Sequence, residues 1–473
     1  MIRSWAFILI CLVTSSVQAA KRPNLVLILA DDLGWADLSC YGNDLHETPN
    51  LDRLARQGVR FTDAYAASPV CTPTRAAILT GLHPARLHMT IWRESALNRG
   101  NRKLLQPICL DSLPLKHVTL TEVLKKAGYF NAHLGKWHVG RAEAYPQAHG
   151  FHVNIGGTLW GAPQTFWYPF NGDGYFRDWR YVPGLEPGNK GDYLTDRLTD
   201  KALVIMEDQT KASRPFYLNL WYHSVHTPIE GKPELVERYR KKINPNSVRK
   251  NPHYAAMVHS LDENVGRVLA KIDELGIANN TLVIFTSDNG GFINKCKLNR
   301  ELAAANNAPL RSGKGSCYEG GVRVPLIVRG PEVVQGKISS EPVYAPDLYP
   351  TLLRAAGLAD QAEAGLDGVD FTLLLKNPDA SLGREALYFH YPHYYQTTTP
   401  VSAIRKGDWK LLEYFEDARL ELFNLKNDPG ETRNLSTANP ALAKRLRMKL
   451  DVWRKKVGAQ LPEPNPDWKL RRK

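Results

Sequence analysis

Four stretches of this chain deliver oxygen donors, imidazoles and cations directly after apolar runs. "PNLVLILADD" ends in Asp31 and Asp32, and "GYFNAHLGKWH" leads into Lys136 and His138. "PFYLNLWYHSVHTP" presents His223 and His226, and "NTLVIFTSDNGG" presents Asp288 and Asn289. Asp31, Asp32, Asp288 and Asn289 are hard oxygen donors, and no cysteine–histidine cluster has the spacing of a zinc site. Oxygen-only ligation points to Ca2+ ahead of Mg2+, because Ca2+ draws most of its ligands from protein while Mg2+ keeps its water. Arg75, Lys136, Lys314, His138 and His226 accompany these acids. So many cations beside a metal imply a strongly anionic reactant, and a sulfate or phosphate ester fits best.

The stretch "SPVCTPTRAAILTG" sets Cys71 where a helix of small residues begins, a position that favours negative charge and exposes reactive atoms. Three readings stay open for it: half of a disulfide, a buried packing residue, or the precursor of something more reactive. The amino end, "MIRSWAFILICLVTSSVQAAKRPN", has Arg3 before a short apolar run and Val17-Gln18-Ala19 at a cleavage position. Residues 1–19 are therefore expected to be a signal peptide, which makes the protein secreted or periplasmic. Cys11 leaves with that segment, and Cys40, Cys71, Cys109, Cys296 and Cys317 remain. An odd count in an oxidising compartment flags one free or specially treated thiol. If that thiol is Cys71, the other four either form two disulfides or stay reduced, since a chain of this size needs no staples.

The elements that must position these residues are strands and helices in alternation. The apolar runs are continuous, as in strands buried on both faces, and amphipathic stretches such as "TPNLDRLARQGV", "TLTEVLKKAGY" and "YAAMVHSLDENVGRVLAKIDELG" separate them. That pattern predicts an α/β fold around a sheet, with ligands bound beyond the carboxyl ends of its strands. The 473 residues carry a formal charge of +13, which attracts anionic partners. No nucleic-acid motif accompanies the charge, and no later run is long and apolar enough for a membrane helix, so neither nucleic acid nor membrane insertion is expected. "TLWGAPQTFWYPFNGDGYFRDW" reads as a long aromatic loop, a glycan platform or a covered face.

"CTPTR" matches the C-x-P-x-R core of the type I, formylglycine-dependent sulfatases. "ADDLG", "GKWHVG", "HGF", "HTP", "SDNGG" and "GKGSCYEGGVRVP" resemble further signatures of that family in its own order. The likeness, of the arylsulfatase and N-acetylgalactosamine-6-sulfatase kind, implies an alkaline-phosphatase-like sandwich with a large mixed, mostly parallel sheet flanked by helices. That catalytic part would span residues 20–376, and a small C-terminal α+β subdomain with an antiparallel sheet would span 377–473. The resemblance also implies that a formylglycine-generating enzyme oxidises Cys71 to an aldehyde whose gem-diol attacks sulfur and passes through a covalent sulfo-enzyme intermediate. Asp288 would deprotonate the attacking hydroxyl, and His138 would deprotonate the second and expel sulfate. Arg75 and Lys136 would hold the diol, while His226 and Lys314 would bind sulfate and assist the leaving alcohol. Asp31, Asp32, Asp288, Asn289 and residue 71 would hold Ca2+. His223 reads as a packed or hydrogen-bonded histidine.

Trp92, Arg93, His390, His393 and Tyr394 are candidates for contact with substrate, the last three reading equally well as aromatics packed on the sheet. The expected substrate is a sulfated carbohydrate, a polysaccharide or glycosaminoglycan-type sugar. The alternatives are a phosphate or phosphonate ester hydrolase of the same superfamily and an inactive glycan-binding homologue.

Overall fold

Alternate residues of the strand Asn24–Ala30 feed two different hydrophobic layers. Val26, Ile28 and Ala30 pack on one side with the helices Leu194–Lys211 and Pro252–Glu274. Leu25, Leu27 and Leu29 pack on the other with Cys71–Thr80, Leu120–Lys126 and Leu348–Ala355. A strand covered on both faces has no reason to alternate polar and apolar residues, which is why its sequence is an unbroken apolar run. The computed structural model describes residues 22–98, 101–295 and 302–468. The expected signal peptide, Cys296 and the terminal "KLRRK" lie outside them.

The large sheet has nine strands. Its order is Val343–Tyr344, Val59–Tyr65, Arg323–Arg329, Thr281–Ser287, Asn24–Ala30, Phe216–Trp221, Phe130–Gly135 and Val153–Ile155, with Lys337–Ser339 also paired to Val59–Tyr65. Arg323–Arg329 runs antiparallel to both its neighbours, and the other pairings are parallel. The four apolar runs singled out in the sequence are thus four adjacent parallel strands. Their carboxyl ends are level: Ala30 pairs with Ser287, Leu29 with Trp221, and Trp221 with Gly135. The residues that follow each strand are consequently delivered to one place.

Beyond this body, Leu387–Tyr391, Val401–Lys406, Trp409–Tyr414 and Leu420–Asn424 form an antiparallel meander covered by the helix Pro440–Val457. The meander's other face, with Leu387, Phe389 and Tyr391, packs on Tyr65, Val70 and Val322 of the body. A buried charge cluster crosses the same junction. Lys410 Nζ lies 2.7 Å from Glu319 Oε1 and 3.2 Å from Glu431 Oε1, with all three side chains fully buried. Tyr65 donates its hydroxyl to Glu319 Oε2 at 2.7 Å, and Glu431 Oε2 accepts the Glu319 backbone N–H at 2.6 Å.

Taking one partner out of a buried, hydrogen-bonded ion cluster strands the rest without water. Lys410→Met is therefore expected to lower unfolding stability by about 3–5 kcal/mol, read as a drop in the urea midpoint at unchanged slope. A midpoint within experimental error of the parent would show that the cluster does not clamp the two parts together.

Candidate active site

The loop after Asn24–Ala30 turns sharply at Asp32, whose φ of 60° is unusual for a residue with a side chain. His138 holds the same left-handed conformation, also at φ 60°. Strained backbone of this kind concentrates at functional sites, and here it occurs at the ends of two strands that converge on one cavity. Asp31, Asp32, Arg75, Lys136, Asp288 and Asn289 are all buried there.

The charged groups are knitted together in pairs. Arg75 binds Asp288 Oδ2 through Nε at 2.9 Å and through a terminal nitrogen at 2.7 Å, and it donates to the Lys136 carbonyl at 2.8 Å. Lys136 Nζ lies 2.6 Å from Asp31 Oδ2. Lys314 Nζ lies 2.8 Å from Asp32 Oδ1 and 3.0 Å from His226 Nε2. Asn289 donates its amide to Asp32 Oδ1 at 2.8 Å, and Asp288 Oδ1 accepts the Asp32 N–H at 3.2 Å. Arg75 sits four residues into the helix Cys71–Thr80, every residue of which is buried. Its grip on Asp288 therefore sets the angle at which residue 71 faces the cavity. Cys71 Sγ is 3.3 Å from His138 Nδ1, and Thr72 caps the His138 carbonyl through its hydroxyl at 2.7 Å.

Burial and neighbouring charge set the protonation states. Burial raises Asp31, Asp288 adds to the effect, and Lys136 and Arg75 only partly offset it, so this carboxyl is pushed up to about 8. Burial also acts to raise Asp32, but Lys314, His226 and Lys136 outweigh it and hold the carboxyl well below the usual carboxylate range. Burial opposes the charge on Lys314, yet Asp32 and its other anionic neighbours raise its pKa well above the ordinary value. His138 and His226 are driven well below theirs, first by burial and then by the lysines around them. Cys71 as a thiol is raised by burial despite Lys136 and Lys314, which leaves it protonated and a poor nucleophile in its own right.

The oxygen-rich side of the cluster suits a hard dication. Asp31 Oδ1 and Asn289 Oδ1 are buried without a hydrogen-bond partner, and such atoms call for an ion or water to satisfy them. One donor atom from each of Asp31, Asp32 and His226 falls within 4.8 Å of the others. Carboxylate and amide oxygens in this crowd match Ca2+ chemistry.

Asp32, Cys71, His138, His226 and Lys314 line the cavity's floor, and Trp92, Glu94, Phe176, Arg180 and Tyr395 form much of its wall. Trp92 is on that wall. Arg93 does not line the cavity; it pairs with Glu94 at 3.5 Å. His390 and His393 correct the expectation that they reach the rim. His390 is buried between Ser402 Oγ at 2.6 Å and the Gln460 carbonyl at 2.8 Å, and His393 between Thr90 at 2.7 Å and Gln106 at 3.1 Å. His223 is buried outside the cavity lining. Sequence reasoning missed Glu94, Arg180 and Tyr395; the signals were close by, in the aromatic loop ending at Trp179 and in the run that holds His393 and Tyr394. Cys40, Cys109 and Cys317 carry free thiols, as does Cys71.

The sulfatase profile matches residues 23–358, and a profile described as N-sulphoglucosamine sulphohydrolase, C-terminal, matches residues 313–456. A sulfatase of Formosa agariphila is 34% identical over 92% of this chain and 89% of its own length. The N-acetylgalactosamine-6-sulfatase of Rattus norvegicus is 33% identical over 74% of this chain and 65% of its own. The crystal structure of Ps i-CgsB in complex with k-i-k-neocarrahexaose superposes with a TM-score of 0.76 at 30% identity, covering 94% of each chain. The chain belongs to the sulfatase family. It is an enzyme that hydrolyses sulfate esters.

Gly161 leaves the space that the His138 ring occupies, since an added Cβ would lie 2.3 Å from His138 Cε1. Gly161→Ala is expected to displace the ring and cut kcat on an aryl sulfate about tenfold or more, with Tm lowered by only a few degrees. Unchanged kcat in a folded variant would mean that the ring's position does not matter to turnover.

Proposed function

We propose that this enzyme removes sulfate from a sulfated carbohydrate, and that residue 71 acts after oxidation of Cys71 to formylglycine. The observation that carries the reading is the setting of Cys71: its Sγ lies 3.3 Å from His138 Nδ1, in a cavity that also holds Asp32, His226 and Lys314. A thiol raised by burial is ill suited to attack there, which favours its replacement by an oxygen nucleophile.

Asp31, Asp32, Asp288 and Asn289 would hold Ca2+, and the bound ion with hydrated formylglycine would supply an oxygen nucleophile and polarise the sulfate. The chain's own residues do the rest. Arg75 and Lys136 fix Asp288 and Asp31 and offset negative charge gathering at sulfur. His138 Nδ1 is within reach of a proton on residue 71. His226 Nδ1 lies 2.8 Å from the Thr227 carbonyl, to which it donates, leaving Nε2 to accept from Lys314. Lys314 is charged at rest, so the Lys314–His226 pair holds a proton that the departing sugar oxygen, a strongly basic alkoxide as it leaves, can take up.

Two relatives support a carbohydrate substrate, one named for N-acetylgalactosamine 6-sulfate and one crystallised with a neocarrahexaose. The steryl-sulfatase of Mus musculus, 33% identical over 92% of this chain, is named for a sterol instead. The aromatic wall of Trp92, Phe176 and Tyr395 offers faces for a pyranose ring. Export through cleavage of residues 1–19 belongs to the same proposal.

Mass spectrometry of the peptide containing residue 71 tests the chemistry: enzyme from a host with the maturation system should show oxygen in place of the thiol. Cys71→Ala should lower kcat about a thousandfold or more, and a full-rate enzyme with an intact thiol would overturn the reading. Exhaustive chelation should abolish turnover of an aryl sulfate, with Ca2+ restoring more of it than Mg2+ at equal concentration. Full activity after metal removal would refute the cation's part.

A further inference from the structure

We propose that a second cavity beside the catalytic one binds the sugar next to the sulfated unit, and that Arg102 holds an anionic group on that neighbour. The inference rests on the carbohydrate reading above. The second cavity has a volume of about 350 Å³ and shares Trp92, Glu94, Tyr395 and Gln396 with the catalytic cavity. The two are therefore one trough, divided by a partition in which Trp92 meets Tyr395 edge-on at 5.8 Å. A single unit in the floor cavity leaves the second space unfilled, whereas a glycan extending from that unit enters it directly.

The lining has the chemistry of a sugar site. Tyr394 contributes a ring held in place at its hydroxyl, which donates to Glu416 at 2.9 Å and accepts the Leu104 N–H at 3.1 Å. The Arg102 guanidinium lies over that ring, 4.7 Å from its centroid. Among the described residues no carboxylate lies within 4 Å of it, so its charge is oriented by stacking and left without an acidic partner. Glu94 stands on the partition, exposed, and among the described residues its ion pair is with Arg93. Its carboxylate suits sugar hydroxyls and repels an anion at the divide, which pushes the neighbour's anionic group to the Arg102 end. The ligand class is an oligosaccharide with a sulfate or carboxylate on the unit adjoining the one that is cleaved.

The test uses full-length matured enzyme and 4-nitrophenyl sulfate as the reference substrate. Galactose 4-sulfate and N-acetylgalactosamine 6-sulfate are compared with κ-carrageenan and chondroitin 6-sulfate oligosaccharides, so that each pair shares its sulfated unit. The expected result is a kcat/KM for one oligosaccharide series about tenfold or more above its monosaccharide. Arg102→Ala should reduce the ratio of oligosaccharide to 4-nitrophenyl sulfate kcat/KM by a similar factor, and Arg102→Lys should restore part of it. Aryl sulfate turnover with no preference for either oligosaccharide series, or with a ratio untouched by Arg102→Ala, would overturn the second site while leaving the sulfatase chemistry standing. Aryl sulfate turnover without turnover of any sulfated sugar would instead remove the carbohydrate reading and this inference with it.

Discussion

Three carboxylates held out of water at the ends of neighbouring strands are the constraint to which the rest of the structure answers. Burying Asp31, Asp32 and Asp288 is costly unless each finds a partner, and Lys136, Lys314 and Arg75 supply one apiece. The three cations come from different places in the chain: a strand end, a helix interior and a loop. Satisfying the acids therefore locks those three elements into one arrangement. The helix that carries Arg75 is fixed by that need, and with it the placement of residue 71. The same pairing leaves Asp31 Oδ1 and Asn289 Oδ1 without hydrogen-bond partners, so the contacts that balance charge within the protein also leave oxygens free for the dication proposed above.

Much of this could be read from residue order because strands and strand ends obey local rules. Apolar runs such as Leu25–Ala30 and Leu282–Thr286 declared doubly covered strands, and parallel strands put their carboxyl ends together without help from any longer-range information. His390 shows where such reading stops. It shares strand parity with Tyr388, which faces the helix Pro440–Val457, while Leu387, Phe389 and Tyr391 face the catalytic body. A histidine one position away from the body-facing side is carried to the opposite side of its sheet. The rim residues were hidden for another reason. Glu94 sits in a single 3-10 turn, Arg93–Ser95, and Arg180 and Tyr395 on irregular segments, where no periodicity says which side chain turns inward.

The two parts of the chain meet around Lys314. Thr397 donates its hydroxyl to the Lys314 carbonyl at 2.7 Å, and the Tyr395 ring packs against Gly315, where a Cβ would lie 1.9 Å from it. Five residues further on, Glu319 enters the buried cluster with Lys410 and Glu431. The antiparallel sheet is thus a wall of the active site and a brace for one of its lysines, which explains why the smaller unit docks through charge as well as through Phe389 and Tyr391.

The depth of the helix Cys71–Thr80 imposes a schedule on the molecule. With every one of its residues buried and Cys71 only 2% exposed on the cavity lining, the sulfur is out of reach of another protein's catalytic centre in the folded chain. On the reading proposed above, enzymatic oxidation of that thiol would belong to the nascent or still extended chain. Molecules that collapse first would then keep the thiol, and with it the unmatured form, for as long as they stay folded.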